Sequence, residues 1–270
     1  TATLEELEKT AIFVHNLGQN FLINPDVIDD ILEQANITKE DVVVEIGAGA
    51  GFVTEQLVKY AKKVIAIELD EDAIKELEKI PCDNLQIIHQ DILKTDLSNL
   101  CDEKIKIVAN IPYYITSPII AHLLGEIDDL NNSNRNKIVD IILMVQEEVA
   151  RRVVANETSP SKQYGLLTIL SQFWAECSIF RLVGRKSFYP APKVNSALIY
   201  MKVRTEPLLK LSDYKHFRRT IKAAFSQRRK TLKNCLVSNG FSPEKVKEAL
   251  KKLNLEENIR GEKLEVIGKF

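Results

Sequence analysis

The chain has 270 residues, of which 45% are hydrophobic and 28% charged, a composition typical of soluble globular proteins. No apolar run reaches the roughly 18–20 residues that a transmembrane helix needs, and the N-terminus shows no signal-peptide pattern. The four cysteines and four histidines are scattered, which argues against a disulfide framework and against a metal site. We therefore expect a cytoplasmic protein without a membrane segment, or one from an organelle stroma or matrix if the N-terminus, which lacks Met, is a processed one.

The net charge of −1 conceals an uneven distribution along the chain. Residues 204–270 contain 17 Lys and Arg against 8 Asp and Glu, a net of +9, whereas the remainder carries a net of −10. A basic C-terminal segment on an acidic body predicts a polyanionic partner that is met mainly by that segment.

Strand patterns alternate with helical patterns through the first three-quarters of the chain. Asn24 and Pro25 supply an N-cap and a first-turn proline for a helix over Asp26–Gln34, and the stretches Phe52–Ala61 and Glu71–Ile80 also have helical spacing. This alternation predicts βαβ units in a mostly parallel sheet, with the last two strands antiparallel because a short proline-rich loop joins them. The predicted strands are Val42–Ile46, Lys63–Leu69, Leu85–His89, Ile105–Asn110, Val139–Val145, Cys177–Val183 and Ser196–Val203.

After about Thr205 the pattern changes to helices only. Ser212 is predicted to cap the first of them, which carries Phe217, Ile221 and Phe225 at helical spacing. We therefore predict two domains, residues 1–204 with the sheet and residues 205–270 as a small basic helical domain.

A glycine loop follows the first long strand, in the sequence Glu45-Ile-Gly47-Ala-Gly49-Ala-Gly51. Glycines allow close approach of the backbone to a ligand, and the following helix presents free N–H groups. The dinucleotide-binding fingerprint would need a further glycine where this chain has Phe52, so phosphate binding is disfavoured.

Two acids follow the next two strands. Glu68 ends the second strand about 20 residues further on, where an acid typically holds ribose hydroxyls, and Asp91 after the third could accept a hydrogen bond from an adenine amine. Each feature alone is also typical of a simple turn or strand end. Their order on three successive strand ends predicts an adenosine ligand without phosphates, such as S-adenosyl-L-methionine, held by Gly47, Gly49, Glu68, Asp91 and Asn110.

The segment Asn110-Ile-Pro112-Tyr113 follows the strand Ile105–Asn110, at the edge of the sheet where ligands bind in open α/β folds. The Asn110 side-chain oxygen and the Pro112 carbonyl could accept hydrogen bonds from an exocyclic amine. Tyr113 could stack on one face of a planar base and Phe188 on the other. We therefore predict methyl transfer to a nucleobase amine, although Asn110–Tyr113 could form only a turn and Phe188 could be a core residue.

Seven features occur in order along the chain: Gln19-Asn-Phe-Leu22, the glycine loop, Glu68, Asp91, Asn110–Tyr113, Phe188–Val194 and Ala224–Leu232. As a series they closely resemble the KsgA-type rRNA adenine N6-dimethyltransferases. The resemblance implies a Rossmann-like, seven-stranded class I methyltransferase with a small helical C-terminal domain. It also implies that Gln19, Asn20 and Leu22 close over the cofactor.

The same resemblance implies the substrate, namely N6 of two adjacent adenines near the 3′ end of small-subunit rRNA, each dimethylated during ribosome biogenesis. The partner would be the small ribosomal subunit or its precursor, and we expect a monomer. RNA contact is predicted for six cations in the run Arg218–Lys233, although such a run can also be a solvated helix face. They are Arg218, Arg219, Lys222, Arg228, Arg229 and Lys230.

Three alternatives remain at this level. An Erm-type methyltransferase, which modifies large-subunit rRNA, shares the cofactor loop and the Asn-x-Pro-Tyr segment, whereas the Phe225–Leu232 motif favours the KsgA type. A non-catalytic RNA-binding assembly factor could keep the same fold. A small-molecule or protein-glutamine methyltransferase could use similar chemistry, but it would leave the basic C-terminal segment without a role.

Overall fold

The computed structural model of the chain describes residues 20–111, 113–160 and 162–264. A seven-stranded sheet lies at the centre, in the order β4-β3-β2-β5-β6-β9-β7, with β9 antiparallel to both of its neighbours. This order confirms the predicted seven-stranded methyltransferase sheet and the antiparallel pairing of its last two strands. The strands are β1 (Phe21–Leu22), β2 (Val42–Ile46), β3 (Lys63–Glu68), β4 (Leu85–His89), β5 (Ile105–Asn110), β6 (Ile138–Gln146), β7 (Ala175–Val183), β8 (Phe188–Tyr189) and β9 (Ser196–Val203).

Helices cover both faces of the sheet and continue beyond it. They are α1 (Pro25–Ala35), α2 (Thr54–Tyr60), α3 (Glu71–Leu77), α4 (Thr116–Leu124), α5 (Ser133–Lys137), α6 (Glu147–Val153), α7 (Leu166–Trp174), α8 (Tyr214–Ala224), α9 (Leu232–Ser238) and α10 (Pro243–Lys252). No helix in the described ranges is both long and apolar enough to cross a membrane.

Alternate residues of the central strands face two separate hydrophobic clusters. Val42 and Val44 belong to the larger cluster, together with helices α4 and α7, whereas Val43 packs with α1 and α2 on the opposite face. All five residues of β2 are buried, as expected for a strand that is covered on both faces of a parallel sheet.

Side-chain hydrogen bonds cap the first turns of helices α1 and α8 and set where each helix begins. The Asn24 side chain accepts a hydrogen bond from the Asp26 N–H, as predicted, with Pro25 in the first turn of α1. The prediction that Ser212 caps the first C-terminal helix is wrong. Asp213 does so, because its carboxylate accepts a hydrogen bond from the His216 N–H.

A small third cluster holds the C-terminal helices together, formed by residues such as Ala224, Leu236 and Leu250. Ile221, on the same helix as Ala224, belongs instead to the large cluster beneath the sheet. Helix α8 therefore packs against both the sheet and the later helices. The division of the chain into two domains at residue 205 stays a prediction.

Candidate cofactor and RNA site

An open cleft of about 240 Å³ lies at the carboxyl ends of β2, β3 and β5. The chain runs outward from β2 toward β3 on one side and from β5 toward β6 on the other, so this is the point where the strand order reverses. Three acids line the cleft and no Lys or Arg does among the residues described. They are Glu68, Asp70 and Asp91. Such a lining disfavours phosphates and suits a ligand with hydroxyl groups and a positive charge.

The glycine loop brings backbone against the end of β5. Gly47 has a φ of +72°, and a Cβ placed on it would lie 3.0 Å from the carbonyl oxygen of Asn110. At Gly49, with a φ of +54°, a Cβ would lie 2.7 Å from the Phe21 ring. Side chains are therefore excluded at both positions, and β1 lies directly over the loop. Of the two glycines, Gly47 lines the cleft, so its backbone is the part of the loop that an adenosine-type ligand could approach.

Glu68 holds this loop in place. One carboxylate oxygen accepts a hydrogen bond from the Gly49 N–H at 2.9 Å, and the other accepts from the N–H groups of Leu69 and Asp70 at 2.7 and 3.0 Å. A carboxylate offers about four acceptor positions, so three are in use. The predicted bond to a ribose hydroxyl would use the remaining position or replace the Gly49 contact.

Glu45, one residue before the end of β2, was not predicted to matter. It is 3% exposed and accepts a hydrogen bond from the Thr54 hydroxyl at 2.5 Å. Burial, together with the negative charge of Glu68, raises the pKa of Glu45 to about 8. The carboxyl is therefore largely neutral near pH 7. An acid inside the otherwise apolar run of β2 was the sequence signal that could have identified it.

Asp91 and Asn110 line the same cleft. Asp91 accepts a hydrogen bond from the Leu93 N–H, which leaves its second oxygen for a ligand, and Asn110 is half-buried at the end of β5. Tyr114, which was not predicted as a site residue, also lines the cleft and is 85% exposed. Gln19 and Pro112 lie outside the described residues, as does the side chain of Tyr113.

Strands β1 and β8 form a two-stranded antiparallel sheet that the sequence patterns did not reveal. Leu22 pairs with Phe188, and both side chains are buried in the cluster that contains Met144. With only 4% of its surface exposed, Phe188 presents no full ring face to a base in this conformation. Its predicted stacking role would require this segment to shift. The neighbouring Tyr189 is 46% exposed.

Two of the six predicted RNA-binding cations are in ion pairs with the body of the protein. Arg218 lies 2.8 Å from Glu126 and 3.2 Å from Asp128, and Lys222 lies 3.2 Å from Glu126. Hydrogen bonding from Arg218, with Lys222 contributing, lowers the pKa of Glu126. These contacts join α8 to the turn after α4. We call this group of four residues the Glu126 clamp.

The other four cations differ in how far they are engaged. The Arg219 guanidinium lies over the Phe241 ring, 4.5 Å from its centre, and donates to the Gly240 carbonyl. Arg228 donates to the Lys162 carbonyl at 2.8 Å. The side chains of Arg229 and Lys230 are exposed and have no hydrogen-bond or ion-pair partner among the described residues. All six remain predicted RNA contacts, and these two are the most available.

Comparison with known proteins agrees with this geometry. Residues 13–267 match the family described as Ribosomal RNA adenine dimethylase. The chain is 41% identical over 258 residues to the ribosomal RNA small subunit methyltransferase A of Clostridium botulinum (strain Langeland). The matched region spans 94% of this chain and 90% of that protein.

Two solved structures have a similar fold. A dimethyladenosine transferase from Plasmodium falciparum has a TM-score of 0.73 at 28% identity, over 91% of this chain and 93% of that one. The 23S rRNA methyltransferase ErmE has a TM-score of 0.64 at 25% identity, over 90% of this chain and 96% of that one. The extent of the family match and the identity to the bacterial relative lead to one conclusion: the chain belongs to the ribosomal RNA adenine dimethylase family.

Proposed function

We propose that this protein transfers methyl groups from S-adenosyl-L-methionine to N6 of adenines in small-subunit rRNA. The observation that carries the proposal is the position of Asn110, which lines an acidic cleft beside a glycine loop at the carboxyl edge of the sheet. The finer substrate, two adjacent adenines near the 3′ end that are each dimethylated, rests on the family resemblance.

The cleft residues would bind and orient the cofactor. Glu68 would take ribose hydroxyls and Asp91 the adenine amine, while the backbone of Gly47 would allow close approach of the amino-acid end, with Gly49 holding the loop against Glu68. When bound, S-adenosyl-L-methionine supplies an electrophilic methyl group on a positively charged sulfur. An acidic lining without cations suits that charge.

Asn110 would act on the target amine. The lone pair of adenine N6 is delocalised into the ring, so the amine is a poor nucleophile. A side-chain oxygen that accepts one N–H bond outside the ring plane favours a pyramidal nitrogen whose lone pair is available for attack. The same oxygen stabilises the positive charge that grows on nitrogen in the transition state. The Pro112 carbonyl is the second predicted acceptor.

The amine needs no strong base in this scheme. Once N6 carries the new methyl group it is acidic and loses its proton to solvent. After the first transfer only one N–H remains, so one of the two acceptors becomes dispensable. Holding the base at the correct distance and angle then supplies much of the rate.

The small subunit is favoured over the large one because the bacterial relative cited above is a small subunit methyltransferase with near-complete mutual coverage. The Phe225–Leu232 motif supports the same choice. The likeness to ErmE keeps the large subunit as a second candidate to be tested. We further propose that the protein acts as a monomer in the compartment where ribosomes are assembled.

The test uses small and large ribosomal subunits from cells that lack these methylations. The protein is incubated with either subunit and labelled S-adenosyl-L-methionine, and the modified bases are mapped. We expect dimethyladenosine in the small subunit and none in the large one. Label in the large subunit would favour the Erm-type reaction, whereas failure to bind S-adenosyl-L-methionine by calorimetry, with neither subunit methylated, would favour a non-catalytic assembly factor.

A further inference from the structure

A second groove, of about 300 Å³, opens at the same edge of the sheet, beside the cleft. Polar side chains dominate its lining, and five of them carry the argument below. They are Gln146, Glu147, Arg151, Gln163 and Asn195. None of these five was singled out from the sequence, and the reaction proposed above uses none of them.

Strand register fixes the distance between this groove and the target amine. Asn110, at the end of β5, pairs with Met144 of β6, and Gln146 lies two residues further along the parallel strand β6. With strands about 4.8 Å apart and a rise of about 3.3 Å per residue, the Cα atoms of Asn110 and Gln146 are about 8 Å apart. The groove is therefore the next position along the edge for an RNA strand whose target adenine lies at Asn110.

The backbone around the groove is held firmly, but the amides that face it are not. The Glu147 N–H donates to the Asn195 carbonyl at 3.0 Å, which joins the start of α6 to the loop before β9. The side chain of Gln146 does not cap α6. Within the described ranges, the carboxamides of Gln146, Gln163 and Asn195 have no protein hydrogen-bond partner.

The groove is lined by two acids and one cation, namely Glu147, Glu148 and Arg151. Arg151 directs its Nε and Nη2 toward one carboxylate oxygen of Glu147, at 3.0 and 2.6 Å. That ion pair offsets the Glu147 charge, whereas the exposed Glu148 keeps its own, so the groove suits an uncharged nucleobase better than a phosphate. A carboxamide donates and accepts side by side, and adenine with its N6 amine and N7 is the base that matches this pair best.

We infer that this groove binds the nucleobase next to the adenine being methylated, through the amides of Gln146 and Asn195, and thereby sets the position of the target. The inference rests on the proposed function and adds a recognition subsite to it. It predicts that the enzyme reads a base that it does not modify in that turnover.

The test is a double-mutant cycle between protein and RNA. Small subunits are prepared with guanine in place of the base on either side of a target adenine, and single-turnover methylation of that adenine is measured. The wild-type protein should slow about tenfold on one of the two substrates, the effect of one lost amide–base pair. The variant Gln146→Ala/Asn195→Ala should slow by a similar factor on native subunits and should lose this sensitivity to the neighbouring base.

Gln86→Ala is the matched control, because Gln86 is an exposed amide on the edge strand β4 at the far side of the sheet. It should behave as wild type. If thermal unfolding shows that the double variant is unstable, Gln146→Glu takes its place. This variant keeps the side-chain shape but removes the hydrogen-bond donor, so it should also lose the sensitivity to the neighbouring base.

Sensitivity to the neighbouring base that persists in the variants would overturn the subsite, as would wild-type rates of the double variant on native subunits. Equal methylation rates of the wild-type protein on native subunits and on both guanine-substituted subunits would also overturn the subsite. Failure of the proposed function is a different result, since the wild-type protein would then leave native subunits unmethylated.

Discussion

The carboxyl edge of the sheet and the C-terminal helices use their polar residues in opposite ways. At the sheet edge, Asn110, Asp91 and the amides of the second groove keep hydrogen-bonding groups directed at solvent. In the C-terminal helices, which hold the largest concentration of positive charge, Arg218 and Lys222 are paired with acids of the body. The abundance of a charge therefore does not show where it is available to a ligand. Hydrogen-bond and ion-pair partners show that.

The largest expected effect is on the methylation rate, for a substitution at the carboxyl edge of the sheet. Asn110→Ala removes the proposed acceptor for the target amine and should lower the single-turnover methylation rate about 100- to 1,000-fold, the usual cost of losing one preorganised polar group at a transition state. Asn131→Ala is the control, since Asn131 is an exposed amide in the loop before α5. A wild-type rate for Asn110→Ala would eliminate the acceptor role.

The buried acid of the same edge should be visible in the pH dependence of stability. The pKa of Glu45 is raised from 4.5 in the unfolded chain to about 8, so the folded state binds the extra proton. The contribution of Glu45 to the free energy of unfolding is fully present below its pKa in the unfolded chain and is lost as the pH rises through 8. The loss between pH 6 and pH 8 is about 2 kcal/mol.

The variant Glu45→Gln carries no titrating group at this position and should not show that loss. Urea unfolding at several pH values compares the two proteins, with the free energy of unfolding of the variant overtaking that of the wild type as pH rises. Parallel pH profiles for both proteins would mean that Glu45 is ionised in the folded state.

The available and the paired cations of the C-terminal helices should separate in salt titrations of rRNA binding. Arg229→Ala and Lys230→Ala should each reduce the slope of log affinity against log salt by about 1, because each removes one phosphate contact. Arg218→Ala and Lys222→Ala, in the Glu126 clamp, should reduce the slope by clearly less than 1, because their ion pairs with Glu126 compete with phosphate. Equal slopes for all four variants would remove the distinction.

The smallest effect on stability is expected for the Glu126 clamp itself. Glu126→Gln weakens two ion pairs between partly exposed groups, so the free energy of unfolding should fall by about 1 kcal/mol or less, and less still at high salt. Glu148→Gln removes an exposed acid that has no partner in the described part of the chain. Thermal unfolding in low and high salt compares the two, and identical melting of both variants would show that the clamp adds no stability.

Local patterns predicted the sheet well. Short β-type runs rich in Val, Ile and Leu identified strands such as β2 and β4 to the residue, and Asn24 with Pro25 located the start of α1. The same patterns missed β1 and β8, which are two residues each and exist only because Leu22 and Phe188 pair across 166 positions of sequence. Ser212 and Asp213 are both good caps, and only the backbone geometry selected Asp213.

The candidate site also has features that the sequence predicted and features that it did not. Spacing alone placed Gly47, Glu68, Asp91 and Asn110 at strand ends, and they do line or border one cleft. Spacing did not reveal that Glu68 already holds three backbone N–H groups, that Phe188 is buried, or that Glu45 is the acid with the strongly raised pKa. Each of these depends on what surrounds the side chain.

The sequence by itself determined the sheet, the methyl donor and the family, because these follow from residue type and order along the chain. Tertiary structure alone decided which cations are free, which aromatic ring is exposed, and that Gln146 and Asn195 share a groove near Asn110. The physical reason is that pairing, burial and pKa depend on neighbours that folding brings together from distant segments. In the basic C-terminal segment that composition identified, some cations are paired with acids of the body, and the exposed ones are those that we propose to bind RNA.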